Sequence, residues 1–126
     1  MGDGWIPVLP APKQLANGIL QIKDIMKHIR RDSKKLQVAY GGSGCALIAE
    51  NEDSVKKLAE PLIRSMGKPK EELACLIGTP KQCIQKIEQY QEAGAQKIVA
   101  GFYDFPSVKS MKLFAKAVIP HFKKQK

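Results

Sequence analysis

The chain has 126 residues, 44% of them apolar and 26% charged, which is ordinary globular material and enough for one domain with a modest core. No apolar run approaches the length of a membrane helix, about 20 residues, and no basic-then-apolar leader opens the chain, so a cytoplasmic protein without a membrane partner is expected. The net charge of +9 keeps nucleic acid and anionic ligands open as partners. The basic residues are spread out, however, and no recognition-helix or aromatic-and-glycine strand pattern accompanies them. A solvated surface is the favoured reading over a nucleic-acid patch.

Gly4-Trp5-Ile6-Pro7-Val8-Leu9 reads as a first strand, ended by Pro10 and Pro12. A chain that opens almost directly in a strand suggests that something upstream is missing. Residues 13–31 form the best helix in the sequence. Leu15, Ile19, Ile22, Met26 and Ile29 make one apolar stripe, and Pro12 suits the first turn. Residues 30–33 form the exit loop.

Residues 36–40 read as the second strand, interrupted by Gly41-Gly42-Ser43-Gly44 and resumed at residues 45–49. Glycines let backbone N–H groups approach an anion closely, so direct ligand contact is one reading of this run. The other is a bend or bulge that re-aims a strand. Neither G-K-[ST] nor G-x-G-x-x-G accompanies it.

Asp53 or Ser54 is expected to cap the next helix, which places Val55, Leu58, Ala59, Leu62, Ile63 and Met66 on its apolar face. Pro61 falls inside that pattern and is expected to kink or split it. Gly67 and Pro69 end it. Residues 71–76 read as a helical turn or an extended connector.

The run from Leu76 to Phe102 is the most clearly punctuated part of the chain. Thr79 stands at an N-cap and Pro80 at the first helical position. Cys83, Ile84, Ile87 and Tyr90 fall on one face, and Gly94 ends the helix as a left-handed cap. Ile98-Val99-Ala100, closed by Gly101, reads as a buried parallel strand. Pro106 and Ser107 open a last helix with Met111, Phe114, Ala115, Val118 and Phe122 on its apolar face.

Strands alternating with helices imply an α/β fold with a parallel sheet, here of about three strands covered on both faces. No internal boundary appears, so residues 1–126 read as a single domain. Cys45, Cys75 and Cys83 lack metal-ligand spacing and read as buried thiols. No nucleophile, general base or carboxylate pair stands out; no catalytic residue and no metal ligand is assigned.

The run "IGTPKQCIQKIEQYQEAGAQKIVAGF", followed by "LFAKAVIPHF", resembles the C-terminal end of the luciferase-like flavin- and deazaflavin-dependent oxidoreductases. The likeness continues upstream in Gly2-Asp3-Gly4-Trp5-Ile6-Pro7 and in Val38-Ala39-Tyr40-Gly41-Gly42-Ser43, and so covers nearly the whole chain. It implies a (β/α)₈ TIM barrel, a fold of about 250 residues, of which this chain supplies a part. It also implies hydride transfer or oxygen activation at reduced FMN or at the 8-hydroxy-5-deazaflavin coenzyme, as in oxidoreductases and monooxygenases of that family.

In such barrels the ligand lies at the C-terminal strand ends. Mapped here, those are residues 7–10, 40–43 and 101–104. Trp5, Tyr40, Gly41, Gly42 and Ser43 are the implied cofactor contacts, with core packing the favoured alternative for the two rings. The glycine pair that meets the cofactor phosphate in the family, and most of its acid–base residues, belong to strands this chain lacks. A partial barrel leaves an open side, so a homo-oligomer or a partner chain is expected to cover it. The alternative functions are a non-catalytic half-barrel that self-associates and, less favoured, a small basic nucleic-acid-binding domain.

Overall fold

A computed structural model describes residues 4–7, 10–67 and 75–123, with only the backbone described at residues 42–45. The expected Val8 and Leu9 of the first strand, Pro69 and most of the 71–76 connector lie outside the described residues.

Four parallel strands form one sheet: β1 (Gly4–Trp5), β2 (Gln37–Ile48), β3 (Ile77–Gly78) and β4 (Lys97–Phe102). All the pairings run through β2. It meets β1 at Gln37 and Val38, β4 from Ala39 to Ala46, and β3 at Leu47 and Ile48. β3 and β4 lie on opposite edges of it. Leu47 and Ala49 donate to the carbonyls of Leu76 and Gly78, whereas Ala46 accepts from the Tyr103 amide. The glycine run does not break the strand. It shifts the register against β4 between Gly42 and Ala46, as a bulge does.

The helices are α1 (Pro12–His28), α2 (Glu52–Met66), α3 (Pro80–Ala93), α4 (Lys109–Leu113) and α5 (Ile119–Lys123), the last two joined by a π-helical turn over Phe114–Val118. Pro120 explains that turn. It has no N–H to offer, and its ring crowds the carbonyl four residues back, so the ladder widens ahead of it.

α3 follows the sequence reading from cap to cap. The Thr79 hydroxyl accepts from the Gln82 amide, and Gly94 takes a left-handed conformation at φ 117°. α2 departs from it. Asn51 caps the helix through the Ser54 amide, in place of Asp53 or Ser54. Pro61 neither splits nor ends α2, which runs unbroken to Met66. Ile29 is the C-cap of α1, beyond the last buried turn, and is 56% exposed instead of closing the apolar stripe. The last helix starts at Lys109, since Pro106 sits in a turn held by the Ser107 amide on the Asp104 carbonyl. Just past the connector, Ile77–Gly78 form β3, a short additional strand.

The main core lies between one sheet face and three helices. Val38, Tyr40, Ala46 and Ile48 of β2 pack with Leu15, Ile19, Cys83, Ile87, Tyr90 and Val118. A smaller core under α2 joins Leu47 to Val55, Ala59, Leu62, Cys75 and Ile77. Cys75 and Cys83 are buried thiols; the Cys45 side chain lies outside the described atoms.

The expectation of a sheet covered on both faces does not hold for β4. Its residues alternate, Ile98 and Ala100 packing on the core and Lys97 and Val99 facing solvent, Val99 with 54% exposure. β2 differs: Leu47 and Ala49, on the face opposite Ile48, are buried with α2 in the smaller core, so that face is open at Val99 of β4 and not along the whole sheet.

Candidate functional site

The strand alternation sorts the sequence candidates onto two faces. Tyr40 points into the helix layer. It is 1% exposed, and its ring lies 4.3 Å from that of Tyr90, centroid to centroid. Trp5 also turns to the helices: its indole packs on α1 at Gly18, where a Cβ would stand 2.3 Å from the ring. Neither ring faces the open side.

Gly41 does lie on the side away from Tyr40, close under the segment that leaves β1. A Cβ there would stand 2.7 Å from Ile6 Cγ2 and 3.2 Å from the Pro7 carbonyl oxygen. The absence of a side chain is what lets the β1 exit cross over β2 at this point. Gly42 pairs with Ala100 through the backbone. Nothing is described of the Ser43 side chain. The strand end expected at residues 40–43 is not one, because β2 runs on to Ile48: Gly41 and Gly42 lie mid-strand, paired with β4, while Trp5 and Tyr40 turn to the helices.

A group at the C-terminal ends of β2 and β4 was not legible in the sequence. Ser110, fully buried near the start of α4, accepts from the Ile48 amide at 3.2 Å and lies 2.9 Å from Asp104 Oδ2 and 3.3 Å from the Ile48 carbonyl. It ties the end of β2 to the turn after β4. The other oxygen of that carboxylate, Asp104 Oδ1, is buried and has no hydrogen-bond partner. A buried carboxylate oxygen in that state calls for a donor, from a ligand or a water. Among residues 101–104, this carboxylate and the half-exposed phenol of Tyr103 carry chemistry suited to holding a proton or a donor.

Among the described residues there is no cluster of three metal-ligating side chains, and no helix is long and apolar enough to cross a membrane. For a flavin-type ring the fit is partial. The chain offers a close backbone approach at Gly41, an acceptor at Asp104 and the 43% exposed ring of Tyr103, but no described cation within residues 7–10, 40–43 or 101–104.

The sequence matches no family model and none of the curated proteins compared with it. Solved structures match closely in shape. The coenzyme F420-dependent tetrahydromethanopterin reductase of Methanopyrus kandleri superposes with a TM-score of 0.70 and 20% identity, over 97% of this chain and 46% of that one. An F420-dependent secondary alcohol dehydrogenase, in complex with an F420–acetone adduct, gives 0.69 and 22%, over 94% and 42%. The long-chain alkane monooxygenase LadA gives 0.63 and 13%, over 90% and 34%. These are proteins of the luciferase-like TIM-barrel fold, and this chain has the fold of part of such a barrel. It spans less than half the length of the structures it matches.

Proposed function

We propose that the chain, as a single domain of residues 1–126, supplies part of an oxidoreductase barrel of the luciferase-like kind, with reduced FMN or the 8-hydroxy-5-deazaflavin coenzyme at its C-terminal strand ends. The observation that carries this reading is the superposition on two structures named for coenzyme F420, over nearly all of this chain. The cofactor would supply the redox chemistry; the protein would position it. Gly41, Gly42 and Ser43 bring backbone to the ligand, and Tyr40 and Trp5 hold that part of β2 rigid from the helix side. Asp104 accepts a donor of the ligand. The remaining strands, and with them the acid–base groups, come from a second copy or from a partner chain. On this reading the chain works in the cytoplasm, in keeping with its buried thiols.

The test is an absorption spectrum of the purified chain after incubation with FMN and, separately, with the deazaflavin coenzyme, followed by removal of free ligand, with mass in solution measured on the same sample. A retained chromophore supports the reading. Loss of the chromophore in both cases, alone and in the presence of a polypeptide carrying the other barrel strands, removes it. A second reading, a non-catalytic half-barrel that self-associates, is favoured by one observation: Val99 and Ile6 stand 54% and 60% exposed on apolar positions of β4 and the β1 exit. A colourless oligomer would support that one.

A further inference from the structure

Between the start of α2 and the α4 rod lies a cleft of about 620 Å³, within the size range of small-molecule sites. Its floor is apolar, built from Ile48 at the end of β2, Leu58 of α2 and Leu113 of α4. Its walls carry four lysines. Lys57 comes from α2; Lys109, Lys112 and Lys116 come from the facing rod. Among the described residues, Glu50 is the one acidic side chain that lines it.

None of the four ammonium groups forms an ion pair among the described residues. Elsewhere the surface does place opposite charges together, as with Glu60 and Arg64 on α2 itself. Lys109 and Lys112, and Lys112 and Lys116, stand three and four positions apart, a spacing at which like charges on a helix repel. A fourth like charge on the opposite wall adds to that repulsion, and the Glu50 carboxylate offsets only part of it. Folding alone does not require this arrangement. A bound anion would relieve it, and the low-dielectric floor would strengthen the attraction.

The cations are all lysine. Arginine's planar fork suits carboxylates held in pairs, whereas lysines act as point charges that converge on a compact, multiply charged group. The apolar floor adds a preference for carbon attached to that group. We propose that this cleft binds an organic phosphate, with the phosphate among Lys57, Lys109, Lys112 and Lys116 and its apolar body on Ile48, Leu58 and Leu113. The site is independent of the flavin reading, since it lies between helices and uses none of the residues assigned to the cofactor.

The test is calorimetric titration of the full chain with hexyl phosphate, inorganic phosphate and hexanol, at low and high salt. Two charge-reversal variants are compared: Lys57→Glu with Lys112→Glu, and Lys23→Glu with Lys27→Glu on exposed positions of α1. Both lower the net charge equally. Hexyl phosphate is expected to bind at least about tenfold more tightly than either other probe, and the cleft variant to lose about tenfold or more while the α1 variant stays within about twofold. Binding should weaken with salt. Circular dichroism checks that each variant folds, and Lys57→Gln with Lys112→Gln replaces the cleft variant if it does not. Equal losses in both variants would overturn the proposal by reducing it to diffuse charge. So would inorganic phosphate binding as well as hexyl phosphate, or no binding of hexyl phosphate at low salt.

Discussion

The Tyr90 hydroxyl donates to the Pro10 carbonyl at 2.6 Å, joining α3 to the turn before α1 across eighty positions of sequence. Tyr90 is fully buried, and its ring also meets Tyr40 on β2. One side chain thus links the first helix, the longest strand and the third helix. Tyr90→Phe keeps the ring and orphans a buried carbonyl, so it is expected to lower stability by about 1–3 kcal/mol. Urea unfolding of the two proteins measures this.

The same residue sets a limit in alkali. Burial holds the Tyr90 phenol well above the usual tyrosine range, and the neighbouring Cys75 pushes it in the same direction. The unfolded chain loses this proton near pH 10 and the folded chain only above that. The folded state then binds more protons, so stability is intact below about pH 10 and falls as pH rises beyond it. Melting temperatures measured between pH 8 and pH 11 should decline at the upper end. The decline should be smaller in Tyr90→Phe.

Ser110→Ala removes the acceptor of the Ile48 amide and leaves Asp104 short of a second partner. A loss of about 1–3 kcal/mol is expected from the unsatisfied buried amide. Native-state hydrogen exchange at Ile48 gives a local readout, and faster exchange there is the expected sign. Unchanged exchange at Ile48 would show that another group takes over the bond.

Gly94→Ala places a side chain where φ is 117° and where its Cβ would stand 2.6 Å from Ile19 Cδ1. Strain and overlap act together, since Ile19 is itself buried in the main core. The substitution should destabilise by about 1–3 kcal/mol, read as a lowered thermal midpoint. Gly67→Ala is the control. It has a positive φ as well, 67°, but nothing within 4 Å of its Cβ, so its effect should be the smaller.

Val99→Asp tests the open face. Val99 is more than half exposed, so the monomer should lose little stability, about 1 kcal/mol or less. Any assembly that covers this face would bury an unpaired carboxylate and weaken. Sedimentation equilibrium of the two proteins should show the variant shifted toward monomer. An unchanged mass distribution would place the contact elsewhere.

What could be read in the sequence follows from how locally each feature is encoded. α3 was legible from Thr79 to Gly94 because capping, first-turn proline and left-handed termination are each set by one or two residues. The α2 cap was misplaced by two or three positions, because Asn51, Asp53 and Ser54 are all competent and packing chooses among them. Of the kink or split expected at Pro61, the split does not occur, because the apolar face, Val55 to Leu62, binds both halves of α2 to the smaller core. β3 has two residues and no period to read. The Ser110 link to Ile48 spans 62 positions and leaves no trace in either segment alone. The orientation of Tyr40 and Gly41 to opposite faces needs only strand alternation, but which face the helices take does not show in the residues.

The sheet has the connectivity of a tree with a single trunk. β1, β3 and β4 each pair with β2, and among the described residues no pairing joins any two of them. Strands that share several neighbours can lose one and keep their ladder; these cannot. A polypeptide deleted for residues 37–48 would retain three strands and five helices' worth of sequence, yet have no two described strands able to meet in their present registers. Cutting any other strand would remove one branch and leave the rest attached.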